Sequence, residues 1–357
     1  MLSQRCNKLL ELAKKDGIDA VVVTSQINRR YFSGFTGSNA ILLIAPGKRL
    51  LLTDFRYTIQ ANIQSKGVFE VIEESRAIGM ERIKNELASI GAKTVGFEDA
   101  SLTVREFKAY ENLGAELVPC STLMANIRMY KDAYETEQLI KAQNIADKAY
   151  AELLTRIKPG MKETEVAYEL EYLMKKNGAE DKSFDTIVGS GENGALCHAI
   201  PGERRLTHGD LVVLDFGCKY NGYCSDMTRT IAIGEPCDEL KKIYDIVLNA
   251  QLKALAALKP GITGKELDAI ARDHITEHGY GKCFGHSLGH GFGLEVHEAP
   301  SASIVGETPF EPGMTITVEP GIYVEGLGGV RIEDCCIVTE DGYINPVTAT
   351  KEMIIIE

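Results

Sequence analysis

Residues 158–178 read KPGMKETEVAYELEYLMKKNG, and residues 259–279 read KPGITGKELDAIARDHITEHG. The two stretches superpose at a constant offset of 101, with Lys-Pro-Gly at the head of each, Glu165 over Glu266 and Gly178 over Gly279. Each carries the punctuation of a helix: Pro159 or Pro260 closes a preceding helix, a capped turn follows, and an amphipathic run stops at a glycine. Further on, LTHGDLVVLDFG (206–217) matches FEPGMTITVEPG (310–321) at an offset of 104, setting Gly209 over Gly313 and Asp215 over Glu319. An internal repeat constrains the whole fold. Two α/β halves packed about a pseudo-two-fold axis would carry the carboxylates at their matching strand ends to one centre. Lys-Pro-Gly alone can recur by chance as a good helix stop, but chance does not readily place an acid at the same point of both strands.

Upstream of the repeat the pattern is that of a separate α/β domain. A helix is expected over residues 3–16, strands at Ala20 to Thr24, Ala40 to Ala45 and Arg49 to Thr53, a helix at Gly79 to Ala88 and a strand at Thr94 to Phe97. Around Ile127 to Asp132 this alternation gives way to a long amphipathic run, Ala133 to Ile157, with apolar residues at Leu139, Ala142, Ile145, Ala146 and Ala149. The expected division is therefore residues 1–130 and residues 131–357, which suits a chain of 357 residues at roughly 150 per domain.

Composition narrows the function. Lys and Arg number 39 against 51 Asp and Glu, a net charge of −12, which argues against binding nucleic acid through backbone phosphates. The longest apolar runs, Ala40 to Pro46 and Met353 to Ile356, fall far short of the ~20 residues that span a bilayer, so no membrane association is expected. The N-terminal stretch mixes acidic with basic residues and lacks the apolar core and cleavage site of a signal peptide, so a cytoplasmic location is expected. Nine cysteines without a C-x-x-C pair disfavour both a zinc ribbon and a disulfide framework, and reduced, mostly buried thiols are expected.

The chemistry lies in the acids. Asp215 and Asp226 are separated by FGCKYNGYCS, whose Asn221-Gly222 is a strong hairpin signal that folds both acids towards one end. Glu319 and Glu333 flank a second candidate hairpin with its turn at Glu325 to Gly329. Four carboxylates converging from two hairpins could not all stay ionised without compensation, because burial and like charge both raise their pKa values. A pair of divalent ions removes that difficulty, and a mostly oxygen ligand set favours Mn²⁺, Co²⁺ or Fe²⁺ over a thiolate-type zinc site, with Zn²⁺ still within range. Nitrogen comes from GHSLGHGFGLEVHEAP (285–300), which holds His286, His290 and His297, with His198 nearby in chain order. Any one of these, alone, would read as structural or exposed; the cluster carries the case. His297-Glu298 lacks the second histidine of H-E-x-x-H, and the glycines at 289, 291 and 293 make no dinucleotide fingerprint, since position 294 is Leu. His274 and His278 sit at i and i+4, but Leu173 and Asn177 match them in the first copy, so both are expected on an exposed surface.

The order Asp215, Asp226, His290, Glu319, Glu333, within LDFG, SDMTRT, GHSLGHGFGLEVHE, TVEPGIY and GGVRIED, resembles the M24 metallopeptidases of the pita-bread fold, which include methionine aminopeptidase, prolidase and Xaa-Pro aminopeptidase. NRRYFSGFTGSNA (28–40) and LLTDFRY (51–57) resemble the creatinase/prolidase N-terminal domain and point to the proline-specific branch. In one departure from that branch, Cys197 rather than proline precedes His198.

The resemblance implies an α/β N-terminal domain followed by an α+β pita-bread catalytic domain. It implies two divalent ions, Mn²⁺ foremost, with Asp226 and Glu333 bridging them, Asp215 on one and His290 with Glu319 on the other, and a shared water or hydroxide as nucleophile. His198 and His297 would bind the substrate carbonyl and its oxyanion, Glu319 would also carry a proton to the leaving nitrogen, and His286, Arg331 and Tyr323 would support ligands or substrate. A homodimer is the implied assembly and a proline-containing peptide the implied substrate. Within the branch, a dipeptidase must hold the free carboxylate of Xaa-Pro. No Lys or Arg occurs from His297 to Pro312, which tilts the expectation to Xaa-Pro aminopeptidase, with prolidase as the alternative. Metal-independent creatinase-like hydrolysis, or a non-catalytic pita-bread binding protein, would be expected to lack some ligands, and here none is missing.

Overall fold

Apolar tetrads and hexads set between glycines and helix caps build the first unit, Met1–Arg128. The structure is a computed structural model that describes residues 1–75 and 79–357. In this unit six strands form one mixed sheet in the order Glu70–Glu74, Lys48–Asp54, Ala40–Ala45, Ala20–Val23, Thr94–Phe97, Glu116–Pro119. The central strand Ala20–Val23 is buried along its whole length, which is why it reads as a continuous apolar run instead of alternating. Elements that the sequence did not announce also appear. Helix Gln26–Ser33 starts where the Ser25 side chain accepts from the Asn28 N–H and stops at Gly34.

The second unit, Met129–Glu357, bears out the repeat. Helices Ala133–Leu154 and Glu163–Lys176 cover the first half, and Asp238–Ala257 and Gly264–Glu277 the second. Gly160 N–H donates to the Leu206 carbonyl at 2.8 Å and Leu206 N–H to the Met161 carbonyl at 2.9 Å. In the second half Gly261 donates to Phe310 at 2.8 Å and Phe310 to Ile262 at 2.9 Å, at the same offsets of 101 and 104. Gly209 and Gly313 share a left-handed backbone, φ 94° and 89°, at the turn that leads into the matching strands. Each half has its own core: Leu170, Val166 and Tyr150 with Val212 and Leu214 in one, Leu267, Ile275 and Val247 with Ile316 and Val318 in the other. Truncating a fully buried member such as Leu170 to Ala would cost about 2–5 kcal/mol.

Strand Leu211–Phe216 pairs antiparallel with Met227–Ile233, Asp215 lying opposite Thr228. Between them Cys218–Tyr220 and Tyr223–Cys224 close through Asn221 (φ 45°) and Gly222 (φ 76°), the turn that the Asn-Gly pair requires. Thr315–Val318 pairs with Asp334–Val338 in the second half, and the ribbon between them, Gly321–Val324 with Gly328–Arg331, is closed by residues 325–327. This turn is shorter than the sequence suggested, because Gly328 and Gly329 belong to the strand, where they pair with Val324 and Tyr323. No helix of the described residues is long and apolar enough to cross a membrane.

Candidate metal centre

Both ribbons deliver their acids to the floor of one cavity of about 830 Å³ in the second unit. Asp226 stands just ahead of strand Met227–Ile233, and Glu333 just ahead of Asp334–Val338, so each acid leaves the ribbon as the chain enters the sheet. His290 sits on the short strand Gly289–Gly291. A side chain at Gly289 would collide with the Thr317 backbone, and that close approach lets the His290 N–H reach Thr317 Oγ1 at 3.0 Å. Asp226, His290 and Glu333 each offer a ligand atom, and the three atoms lie within 4.8 Å of one another. Glu319 Oε1 stands 3.4 Å from His290 Nε2, and Asp226 Oδ2 stands 3.7 Å from it. Asp215 is turned to Arg331, whose Nη2 donates to Oδ2 at 2.6 Å, while its other oxygen, Oδ1, is buried without a partner.

The electrostatics of this cluster are those of a site that needs positive charge. Burial, followed by the charges of Asp215 and Glu319, pushes Asp226 well above the carboxylate range. Burial and then Asp226 do the same to Glu333. Glu319 is raised to about 8, chiefly by burial, against the pull of Arg331. His290 is lowered to about 4, chiefly by burial, so its imidazole is neutral at pH 7. Its Nδ1 lies 3.1 Å from the Gly291 carbonyl, which can only accept, so the proton belongs on Nδ1 and Nε2 presents a lone pair to the carboxylates. Four carboxylates, one oriented imidazole and an orphaned carboxylate oxygen suit a pair of divalent cations: the residues present fit that group.

The supports form a directed chain. Arg331 Nη1 donates to Tyr323 Oη at 2.7 Å and to the Cys197 carbonyl at 3.2 Å. Tyr323 Oη lies 2.9 Å from His286 Nε2, and His286 Nδ1 lies 2.8 Å from the Ser287 carbonyl, which fixes the tyrosine as donor and His286 as acceptor at Nε2. Three residues singled out from sequence are thus one hydrogen-bonded string. His297 packs edge-on to His290 with ring centroids 4.4 Å apart, and His198 lines the same cavity; both are exposed to it. Sequence reasoning missed two hydroxyls. Thr228 Oγ1 donates to Glu333 Oε2 at 2.7 Å, and Thr317 Oγ1 to Glu319 Oε1 at 3.2 Å. Both lie two residues from an acid along extended chain, at 226/228 and 317/319, so period-two alternation could have found them.

One expectation fails: His274 is not on an exposed surface but only 8% accessible, with Nδ1 2.9 Å from Lys253 Nζ on the neighbouring helix. Its counterpart in the first copy, Leu173, is buried as well, so the repeat sets this position on the covered face of its helix.

Comparison with known proteins identifies the family of the chain. The model of metallopeptidase family M24 matches residues 137–340, and that of the creatinase/prolidase N-terminal domain matches residues 5–130. The chain belongs to the M24 metallopeptidases, with a creatinase-type N-terminal domain ahead of a pita-bread catalytic domain, and is a metallo-exopeptidase by class. Among its relatives, a Xaa-Pro dipeptidase of Pyrococcus horikoshii is 41% identical, over 99% of both chains. Two solved structures resemble it throughout. A Xaa-Pro dipeptidase from Bacillus anthracis has 45% identity and a TM-score of 0.97, covering all of each chain. An X-Pro aminopeptidase from Thermotoga maritima has 40% identity and a TM-score of 0.92, covering 99% of this chain and all of that one.

Proposed function

We propose that this chain is a dinuclear metal-dependent peptidase that hydrolyses the bond between an N-terminal residue and proline, with free Xaa-Pro dipeptides as its preferred substrates. The observation that carries this reading is the set Asp226, His290 and Glu333, gathered within 4.8 Å at the base of a cavity in an M24 chain. The preference for dipeptides departs from the aminopeptidase expectation. That expectation rested on the lack of a cation between His297 and Pro312, but Lys182 lines the cavity from elsewhere in the chain. The dipeptidase names of the relatives from Pyrococcus and Bacillus anthracis support the same choice.

In this reading Asp226 and Glu333 would help to hold both cations, Asp215 one of them, and His290 with Glu319 the other. When bound, such a pair polarises a carbonyl and lowers the pKa of a coordinated water from about 16 towards 7. His198 and His297, exposed on the cavity wall, hold the scissile carbonyl and donate to the oxygen that gains charge, an effect worth roughly 3 kcal/mol per donor. Glu319, hydrogen-bonded by Thr317, passes a proton to the leaving proline nitrogen, which lacks an N–H in the tertiary amide and departs as a secondary amine. The string Arg331, Tyr323, His286 keeps Asp215 and the cavity wall in place.

Mn²⁺ is the proposed metal because the donors are mostly hard oxygens, with Co²⁺, Fe²⁺ and Zn²⁺ as weaker fits. Nine free cysteines, six of them buried, suit a cytoplasmic location. Phe55, Ile59 and Ile63, exposed by 66%, 77% and 70%, the last two one turn apart on helix Thr58–Gln64, offer apolar surface on the first unit that supports a homodimer. Residues 1–130 and 131–357 are proposed as the two functional domains. Chelator-stripped protein should lose Xaa-Pro hydrolysis and regain it with Mn²⁺; a metal-free preparation with full activity would overturn the proposal.

A further inference from the structure

Among the described residues lining the cavity, two carry a guanidinium or ammonium group, Arg331 and Lys182. Arg331 is already committed. All three of its nitrogens donate, Nε to Thr228 Oγ1, Nη1 to Tyr323 and the Cys197 carbonyl, and Nη2 to Asp215, and its side chain is 3% exposed. Lys182 differs in each respect. Its side chain is 37% exposed and lies between Glu171 Oε1 at 3.2 Å and Asp185 Oδ1 at 3.0 Å. Glu171 is 27% exposed and anchors the ammonium from helix Glu163–Lys176. Asp185, at 98%, is fully in water, and such a contact is worth about 0–1 kcal/mol, so a better anion can displace it at small cost. Phe184, Ile187, Ile200 and Pro201 line the same cavity and supply apolar surface of the kind a pyrrolidine ring would cover.

We infer that Lys182 receives the C-terminal carboxylate of a Xaa-Pro dipeptide, taking the place of Asp185 as its second partner, and so sets the preference for dipeptides over longer chains. This rests on the Xaa-Pro reading above. A dipeptide brings its carboxylate to the same residue whose ring it must bury, so a cation beside an apolar wall recognises both features at once. In a longer peptide that position is a neutral amide, which leaves the Lys182–Asp185 contact intact and gains nothing from it. The bland alternative is that Glu171, Lys182 and Asp185 merely staple the 181–187 segment to the helix, and substrate length would then be irrelevant to Lys182.

The test uses the metal-loaded enzyme with an Xaa-Pro dipeptide and the same dipeptide as its C-terminal amide. Lys182→Met should raise KM for the free acid about tenfold or more, the range of a hydrogen bond to a charged group, while leaving kcat and the kinetics on the amide unchanged. Lys182→Arg should restore most of the loss, and Asp185→Asn should lower KM for the acid by removing the competing anion. An equal change on both substrates, or none on either, would overturn the assignment. A wild type that cleaves neither substrate would overturn the Xaa-Pro reading itself, and this assignment with it; cleavage with an unmoved KM in Lys182→Met overturns this assignment alone.

Discussion

The two halves of the second unit share a backbone plan but not a chemistry. At the offset of 101, His290 on strand Gly289–Gly291 matches Gly189 on strand Ile187–Ser190, and at 104 Thr317 matches Val213. Gly189 lies opposite Val213 in the strand register, and the His290 N–H donates to Thr317 Oγ1. A side chain at Gly189 would press on the Asn193 carbonyl and the Ala199 Cβ, at 3.0 and 3.1 Å, so the first half has no room there for an imidazole. Only the second half therefore puts a nitrogen into the cluster. In exchange, Asp215 of the first half is held by Arg331 of the second, and Glu333 of the second by Thr228 of the first. Symmetry brings the acids together; the departures from it make the two candidate metal positions unlike.

That contrast can be broken most severely at the acids common to both halves. Asp226→Asn or Glu333→Gln should lower hydrolysis of an Xaa-Pro substrate by roughly a thousandfold or more, with a native far-ultraviolet circular dichroism spectrum. The same variants should melt higher than the wild type when both are stripped of metal, since each removes a buried acid that folding must either leave charged or protonate at a cost. Next comes the asymmetry itself. His290→Gly, which makes the second half like the first, should weaken one of two metal sites by about a hundredfold or more, read as a fall in bound metal per chain. Arg331→Met should cost about 3–5 kcal/mol in denaturant unfolding, because it leaves Asp215 buried without its cation. Tyr323→Phe, which only interrupts the donor string, should cost about 1 kcal/mol.

The pH response sharpens the contrast between stripped and loaded protein. Asp226, Glu319 and Glu333 all have pKa values raised on folding, so between the unfolded and folded values the folded chain binds more protons than the unfolded one. Their contribution to stability is therefore present at acid pH and lost as pH rises, for Glu319 over the window from 4.5 to about 8. Thermal unfolding of stripped protein should show the melting temperature falling across that window, and saturating Mn²⁺ should flatten the decline at its upper end. A stripped protein whose stability rises with pH there would contradict the charge cluster.

Much of this was legible because the decisive signals are local. The repeat, the Asn221-Gly222 turn and the acids at strand ends each follow from a few neighbouring residues. Strands Ala40–Ala45 and Thr94–Phe97 fall where their apolar runs place them. Two of the elements that escaped notice lack such signals. Helix Thr58–Gln64 has no side-chain cap and buries only Ala61, and strand Glu70–Glu74 is a sheet edge with three glutamates in five residues. Contacts made across the sequence were equally hidden. The burial of His274 depends on Lys253, and Lys182 sits in AEDKSFD, which reads as a polar turn until the cavity wall is seen.

The most direct test is a metal titration of stripped wild-type protein and Asp226→Asn, with Xaa-Pro hydrolysis followed in the same samples. The wild type should bind two divalent ions per chain, with activity rising as they bind, and Asp226→Asn should lose both the stoichiometry and the activity. Full hydrolysis by metal-free wild type, or unchanged binding and activity in Asp226→Asn, would contradict a dinuclear centre built from the two halves.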